Sequence, residues 1–425
     1  TDHCPVFPAI LLDMMGAYYG ERPVVREKEL EELWVQLPEN QATASFGKNW
    51  GYYVGMDEIR RYYVTEYHVD GFLLNTAVVS EIWLHEDPIL RQIKILGAGF
   101  SAPEKVAGKK TFAVFNEEYL TTARRYLKSD EGQVAGFYEA FCKDDATCGR
   151  VHYITQKNGF TLRDLVSYDV KHNEANGEGN NDGCSYNYSW NCGVEGPTRK
   201  VSVRQMRERQ IKNAFLMMLL SQGVPMIYHG DEFGNSQSGN NNAYCQDNAT
   251  GWTDWKGLSR NQGLREFVKD AIAFRKAHPV LHMPVELKGV DYLTKGFPDV
   301  SLHGERAWYL SYENTSRLLG MMYYGAYARE KEDLEAAEDD FIYIGYNFHW
   351  ENRSLALPNL PEGMCWKKIA DTSLHGTGFC LEEEEEYKKS IEIGPRAIVV
   401  LLGRQEAEKD AIMAPVAALQ DHHEA

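Results

Sequence analysis

Residues 204–229 read RQMRERQIKNAFLMMLLSQGVPMIYH, and their pattern decides the fold class. Ile211, Phe215, Met218 and Leu219 recur at helical spacing, which predicts an amphipathic helix from Arg204 to Gln222. Gly223 and Pro225 end it, and VPMIYH at 224–229 then reads as a short apolar strand. The same alternation recurs upstream. AILLDMM (9–15), VDGFLLN (69–75), IKILGA (93–98) and VHYIT (151–155) are apolar runs of strand length. A helical pattern running from Met56 puts Met56, Ile59, Tyr63 and Tyr67 on one face. A second helix starts at Asn116, an N-cap before Glu117 and Glu118, and a third spans 263–277. Buried strands alternating with helices predict a parallel sheet wrapped by helices.

Beyond Pro279 the pattern changes. AWYLSY (307–312), LLGMMYYGAY (318–327), DFIYIGYNFHW (340–350), SLALP (354–358) and AIVVLLG (397–403) read as strands with no helix between them. The expected organisation is therefore residues 1–278 as an α/β domain, 280–403 as an all-β sandwich, and 404–425 as a polar, disordered tail. The acidic runs EAAEDD (335–340) and EEEEE (382–386) read as solvated loops.

Composition excludes several partner classes. The formal net charge of −17 disfavours nucleic acid and anionic membrane, and no run is long enough to span a bilayer. A neutral polymer would not be repelled, and 25 Tyr, 17 Phe and 9 Trp offer stacking surfaces as well as core. The eight cysteines lack any CxxC pairing or nearby His at zinc spacing, so no metal and no cofactor is expected. Their scatter in a long chain predicts reduced thiols in a cytoplasmic protein.

Longer motifs carry a resemblance. NYSWNCGVEGPT (187–198) and LLSQGVPMIYHGDEFGNSQSGNNNAYCQDN (219–248) together span roughly forty residues and are similar to bacterial glycogen-debranching enzymes and isoamylases. NGFTLRDLVSYDVKHNEANGEGNNDG (158–183), YYVTEYHVDGF (62–72) and GPRAIVVLLG (394–403) extend the match over nearly the whole chain. The resemblance implies a TIM-type (β/α)8 barrel of the α-amylase superfamily followed by a β-domain. AILLDMMGAY resembles the third barrel strand, so the first two strands and an N-terminal β-domain are expected outside this sequence.

The family cleaves α-glucosidic bonds with an Asp nucleophile, a Glu acid and a second Asp that stabilises the transition state, each at a strand's C-terminal end. Where the family reads G-F-R-F-D, this chain has Gly71-Phe72-Leu73-Leu74-Asn75, which puts Asn75 at the nucleophile. Where it reads A-E-P-W, this chain has Gly97-Ala98-Gly99-Phe100, and Ala98 cannot donate a proton. Where it reads T-A-H-D-G-F-T-L, this chain has Thr155-Gln156-Lys157-Asn158-Gly159-Phe160-Thr161-Leu162. Asn158 thus replaces the third carboxylate, and Lys157 a sugar-binding His.

Three readings follow. In the first the chain is a catalytically degenerate homologue that binds α-glucan oligosaccharide or glycogen, regulating or accompanying a catalytic paralogue. Lys157, Asn158, Trp190, Asn191, Asp231, Glu232 and Tyr244 are its expected substrate contacts. For His172–Glu174 and Asn240–Asn242, glucan contact and plain loop structure stand side by side. In the second, Asp231 and Glu232 act as relocated acids of an active α-1,6 debranching hydrolase. In the third, the chain is a scaffold with no sugar affinity.

Overall fold

The structure is a computed structural model describing residues 11–13, 60–74, 84, 86–97, 112–143, 148–328, 339–374, 379 and 385–405. Six strands form one parallel sheet in sequence order: β1 (Leu11–Asp13), β2 (Gly71–Leu74), β3 (Lys94–Gly97), β4 (Phe112–Phe115), β5 (Gly149–His152) and β6 (Val224–Pro225). Phe72, Leu74, Ile95, Phe112, Val114 and Val151 are all buried, as strands covered on both faces require. The sequence reading passed over β4 (FAVF), whose four residues are too few to show a period. It also made the strand at 224–229 too long, because pairing with β5 stops at Pro225.

Helices pack around this sheet. Residues 60–67 are helical; Tyr63 on this stretch is buried but Tyr67 is exposed, so the expected apolar face stops short of it, while Met56 and Ile59 lie outside the described residues. α1 (Glu117–Lys128) begins where the Asn116 side chain accepts the Tyr119 N–H at 3.0 Å, and Ser129 closes it in a left-handed conformation. α2 (Val134–Cys142), the one-turn α3 (Leu162–Leu165) and α4 (Val201–Leu219) follow, then α5 (Gly257–Arg260) and α6 (Gln262–Ala277).

α4 corrects the amphipathic expectation. Every residue from Gln210 to Gln222 is buried, Lys212 and Asn213 included, because the helix runs inside one core built from neighbouring helices on one side and the antiparallel sheet on the other. Asn213 Nδ2 donates to the Arg396 carbonyl, and Thr372 Oγ1 donates to Asn213 Oδ1, both across to the β-rich part of the chain.

That part is antiparallel. Its six-stranded sheet runs β12 (Glu386–Tyr387), β11 (Met364–Asp371), β14 (Ala397–Gln405), β9 (Phe341–Asn347), β8 (Leu318–Tyr324), β7 (Val300–His303), and a smaller sheet pairs β10 (Arg353–Ala356) with β13 (Ser390–Ile393). Alternation sorts side chains between two cores. Met321, Tyr323, Ile344, Tyr346 and Val400 face the helices, whereas Met322, Tyr343, Val399 and Leu401 pack with Leu355, Ile391 and Ile393 of the smaller sheet. Among the described residues of 300–400, a single 3-10 turn at Gly325–Tyr327 interrupts the strands.

Two expectations change here. AWYLSY is loop, since Trp308 sits at φ +64° and breaks the extended run, and the edge strand forms earlier, at Val300–His303. Arg404, expected in the tail, belongs to β14 and pairs with both Asp340 oxygens at 2.6 Å; residues beyond 405 lie outside the described ones. No described helix is long and apolar enough to cross a membrane.

Arg275 of α6 joins these elements. Its guanidinium donates to the carbonyls of Leu219 (2.7 Å), Ser221 (2.6 Å), Gly223 (2.7 Å) and Leu281 (3.1 Å), capping the end of α4 and the approach to β6. Gly223 must be glycine there: its φ is +73°, and a Cβ would lie 2.6 Å from the Arg150 carbonyl. Arg275→Met should lower unfolding free energy in urea by more than about 3 kcal/mol, because each stranded buried acceptor costs about 1–3. A loss below about 1 kcal/mol would show that these carbonyls find other donors.

Candidate functional site

Asn75 and Ala98 are the residues immediately after β2 and β3, and both lie outside the described residues. The described part of the strand-end region is built from the loops leaving β4, β5 and β6.

The loop leaving β5 carries Tyr153 to Asn158. Tyr153 is fully buried and donates its hydroxyl to Glu117 in the first turn of α1. Arg124, one helical face further along α1, donates to the Ile154 carbonyl at 2.7 Å and the Asn187 carbonyl at 3.0 Å. Burial pulls this guanidinium down to about 10, against the opposing charges of Tyr153, Cys184, Asp231 and Glu117. The chain then emerges, and Lys157 and Asn158 are both exposed on the turn. Partial desolvation lowers the Lys157 ammonium from its ordinary value.

The loop leaving β6 turns through Gly230 into Asp231 and Glu232. Asp231 is 2% exposed, and its two oxygens accept the Thr155 hydroxyl at 2.5 Å and the Leu162 N–H at 2.8 Å. Burial pushes its carboxyl up to about 7, opposed by those two hydrogen bonds. The neighbouring Asp164 is spent likewise, accepting from Ser236 Oγ at 2.5 Å and the Gln237 N–H at 2.7 Å. Glu232 differs: it is half-buried, and its Oε2 is buried without a hydrogen-bond partner among the described residues.

Beyond these loops the rim is a lattice of amides. Asn173 and Asn241 exchange hydrogen bonds at 2.9 and 3.0 Å, and Asn241 also donates to Asn187 Oδ1 at 3.0 Å and the Cys184 carbonyl at 2.7 Å. Asn240 donates to Asn176, and Asn242 and Asn176 both donate to Asp182. Asn173, Asn240 and Asn241 are at most 1% exposed, so their polar atoms face one another rather than solvent. Gly183 lets the strands of this lattice close, since a Cβ there would meet Asn241 Oδ1 at 2.3 Å.

The sequence-predicted contacts separate into two groups. Lys157 and Asn158 lie on the loop leaving β5 and Asp231 and Glu232 on the loop leaving β6, the two loops joined by the Thr155–Asp231 hydrogen bond, and Tyr244 stands on the rim, 57% exposed, donating to Glu178 at 2.7 Å. Trp190 and Asn191 have other partners. The Arg396 guanidinium lies 4.1 Å from the Trp190 ring centre, the ring packs on the main core, and the Trp190 N–H bonds to Leu165 O. Asn191 is held on three sides by Asp169, Glu195 and Gly193. Two tryptophans outside the sequence-predicted set, Trp252 and Trp255, stand exposed by 60% and 68% on the loop after β6. Their signal was present in GWTDW at 251–255, two Trp flanked by turn residues.

The comparisons agree with this architecture. The Mycobacterium tuberculosis glycogen operon protein GlgX homolog is 39% identical over 252 residues, covering 53% of this chain and 34% of that protein. Isoamylase 3, chloroplastic, of Oryza sativa subsp. japonica is 32% identical over 354 residues, covering 76% of this chain and 42% of the relative. This chain thus spans less than half the length of these relatives. Among solved structures, pullulanase type I from Bacillus subtilis, complexed with maltose, superposes with a TM-score of 0.56 at 15% identity, over 82% of this chain and 46% of that one. No family model matches the chain.

Asp231 offers a pH test. A carboxyl raised from an ordinary value near 3.8 to about 7 in the fold favours the native state most at low pH, and that advantage is lost as pH rises through 7. Asp231→Asn cannot ionise and keeps an acceptor for Leu162. Urea midpoints should therefore move in the variant's favour between pH 5 and pH 8; an unchanged difference between variant and parent would refute the raised carboxyl.

Proposed function

The chain belongs to the glycogen-debranching, isoamylase-type branch of the α-amylase superfamily, and from that membership we propose that its strand-end region holds α-glucan without cleaving it. The observation that carries this reading is Asn158. It occupies the turn after β5, exposed and neutral, with Lys157 beside it. The resemblance puts a carboxylate there. Retaining hydrolysis needs two carboxyl groups about 5–5.5 Å apart across the scissile bond, one ionised and one protonated. By the same alignment Asn75 and Ala98 follow β2 and β3, so neither partner of that pair is present.

The buried acids nearby do not replace them. Both Asp231 oxygens are committed to Thr155 and Leu162, and both Asp164 oxygens to Ser236 and Gln237. An amide in place of a carboxylate still serves binding, because it donates to and accepts from sugar hydroxyls, and Lys157 adds donors. Tyr244, Trp252 and Trp255 supply exposed ring faces around them. We read the six parallel strands as the later part of an eight-stranded barrel within residues 1–278, with residues 280–403 as the β-domain that shares its core. One observation favours activity instead: Glu232, on the loop after β6, carries a buried Oε2 that has no hydrogen-bond partner among the described residues.

Calorimetric titration with maltotriose through maltoheptaose should show affinity rising with length, with no reducing ends released from an α-1,6 limit dextrin. Asn158→Ala should weaken binding several-fold, about 1 kcal/mol for a lost hydrogen bond. Turnover abolished by Glu232→Gln would replace this reading with the active one, and absence of binding at every length would leave a scaffold.

A further inference from the structure

We propose that a groove along the edge strand β7, where the antiparallel sheet meets α2, is a second oligosaccharide site, separate from the strand-end region. The groove is a cavity of about 760 Å³ floored by Val300 and Leu302 and walled by Tyr138, Trp308, Tyr309 and Tyr312. Trp308, Tyr309 and Tyr312 are 51%, 62% and 61% exposed. Single exposed aromatics are ordinary on a protein surface; three within five residues around one cavity are a surface kept open to a ligand.

Both walls are fixed in advance. Fully buried Asp299, next to the start of β7, accepts the N–H groups of Lys288 at 2.7 Å and Gly289 at 2.8 Å, which locks the loop on one side. On the other side Trp308 is held at φ +64°, a conformation bulky L-residues rarely adopt. Its N–H donates to His303 Nδ1 at 2.9 Å, and His303 Nε2 lies 2.8 Å from Ser301 Oγ. With Nδ1 accepting, the proton sits on Nε2, and burial holds the imidazole neutral, with its pKa pulled down to about 4. A buried histidine in one tautomer thus keeps an aromatic ring turned toward water.

The chemistry of the lining selects the ligand. Glu313 is its one ionisable carboxylate, no basic residue lines it, and the chain's net charge is −17, so an anion is disfavoured. Among the described residues the Tyr309 and Tyr312 hydroxyls and the Glu313 carboxylate have no protein partner. Flat ring faces interleaved with free hydroxyl and carboxylate groups match a polyol, which offers C–H faces for stacking and hydroxyls for hydrogen bonds. That the sugar is an α-glucan rests on the function proposed above; the groove itself does not. Two sites on one chain would bind a branched polymer more tightly than either alone.

The test uses the full chain with maltoheptaose, cellohexaose and glycogen, read by calorimetry and tryptophan fluorescence. Trp308→Ala and the surface variant Tyr312→Ala should each weaken glycogen binding by roughly 10² or more, the scale on which a second contact raises avidity, while Trp308→Phe retains most of it. Asn158→Ala should leave the fluorescence response of Trp308 in place. Glycogen and maltoheptaose binding unchanged in both groove variants, with Asn158→Ala still weakening it, would overturn the groove and spare the strand-end site. A response to cellohexaose equal to that for maltoheptaose would overturn the α-glucan assignment. No binding by the parent chain to any glucan would overturn both.

Discussion

A buried carboxyl group ties together the loops leaving β5 and β6. Asp231 accepts from Thr155 on one loop and from the Leu162 N–H, at the start of α3, and is otherwise enclosed. The cost of burying it is large enough that the group sits near neutrality in its titration, so the two donors matter more here than at a solvated site. Arg124 reinforces the same junction from below, and the Asn173–Asn241 exchange extends it to the rim. The strand-end region therefore keeps its shape through groups that a catalytic role does not require. A frame of this kind can persist when the reacting side chains are replaced.

On the reading proposed above, Asn158 and Lys157, both exposed on the turn after β5, put no negative charge where an oxocarbenium-like centre would need it. A lysine in such a place disfavours an oxocarbenium-like centre but not a ground-state hydroxyl. The exposed Trp252 and Trp255 and the rim Tyr244 are indifferent to that change, since stacking does not depend on the reacting centre.

How much of this was legible in the sequence depended on length and on partners. VDGFLLN and IKILGA read as strands because each is a closed apolar run, and β2 and β3 lie within them, whereas β5 starts two residues before VHYIT and shares only Val151 and His152 with it. FAVF was passed over because four residues carry no period. α4 reads as amphipathic from Ile211, Phe215, Met218 and Leu219, yet its polar positions are also buried, Lys212 over the Phe267 ring of α6 and Asn213 against Arg396 and Thr372 of the β-rich part. AWYLSY has strand composition but Trp308 needs a left-handed backbone, held by a histidine that no local pattern reveals. Trp190 looked like a sugar platform in its motif, and its face is taken by Arg396, some two hundred residues away in sequence. Long-range partners decided the surroundings of Asn213 and Trp190, and one-dimensional pattern does not contain them.

The most direct measurement is a crystal structure of the chain grown with maltoheptaose and held for days before data collection. The account predicts an intact oligosaccharide with its glycosidic bonds unbroken, lying against the loops that carry Lys157, Asn158 and Trp252. Shortened products at the strand ends, with Glu232 against the cleaved position, would contradict it.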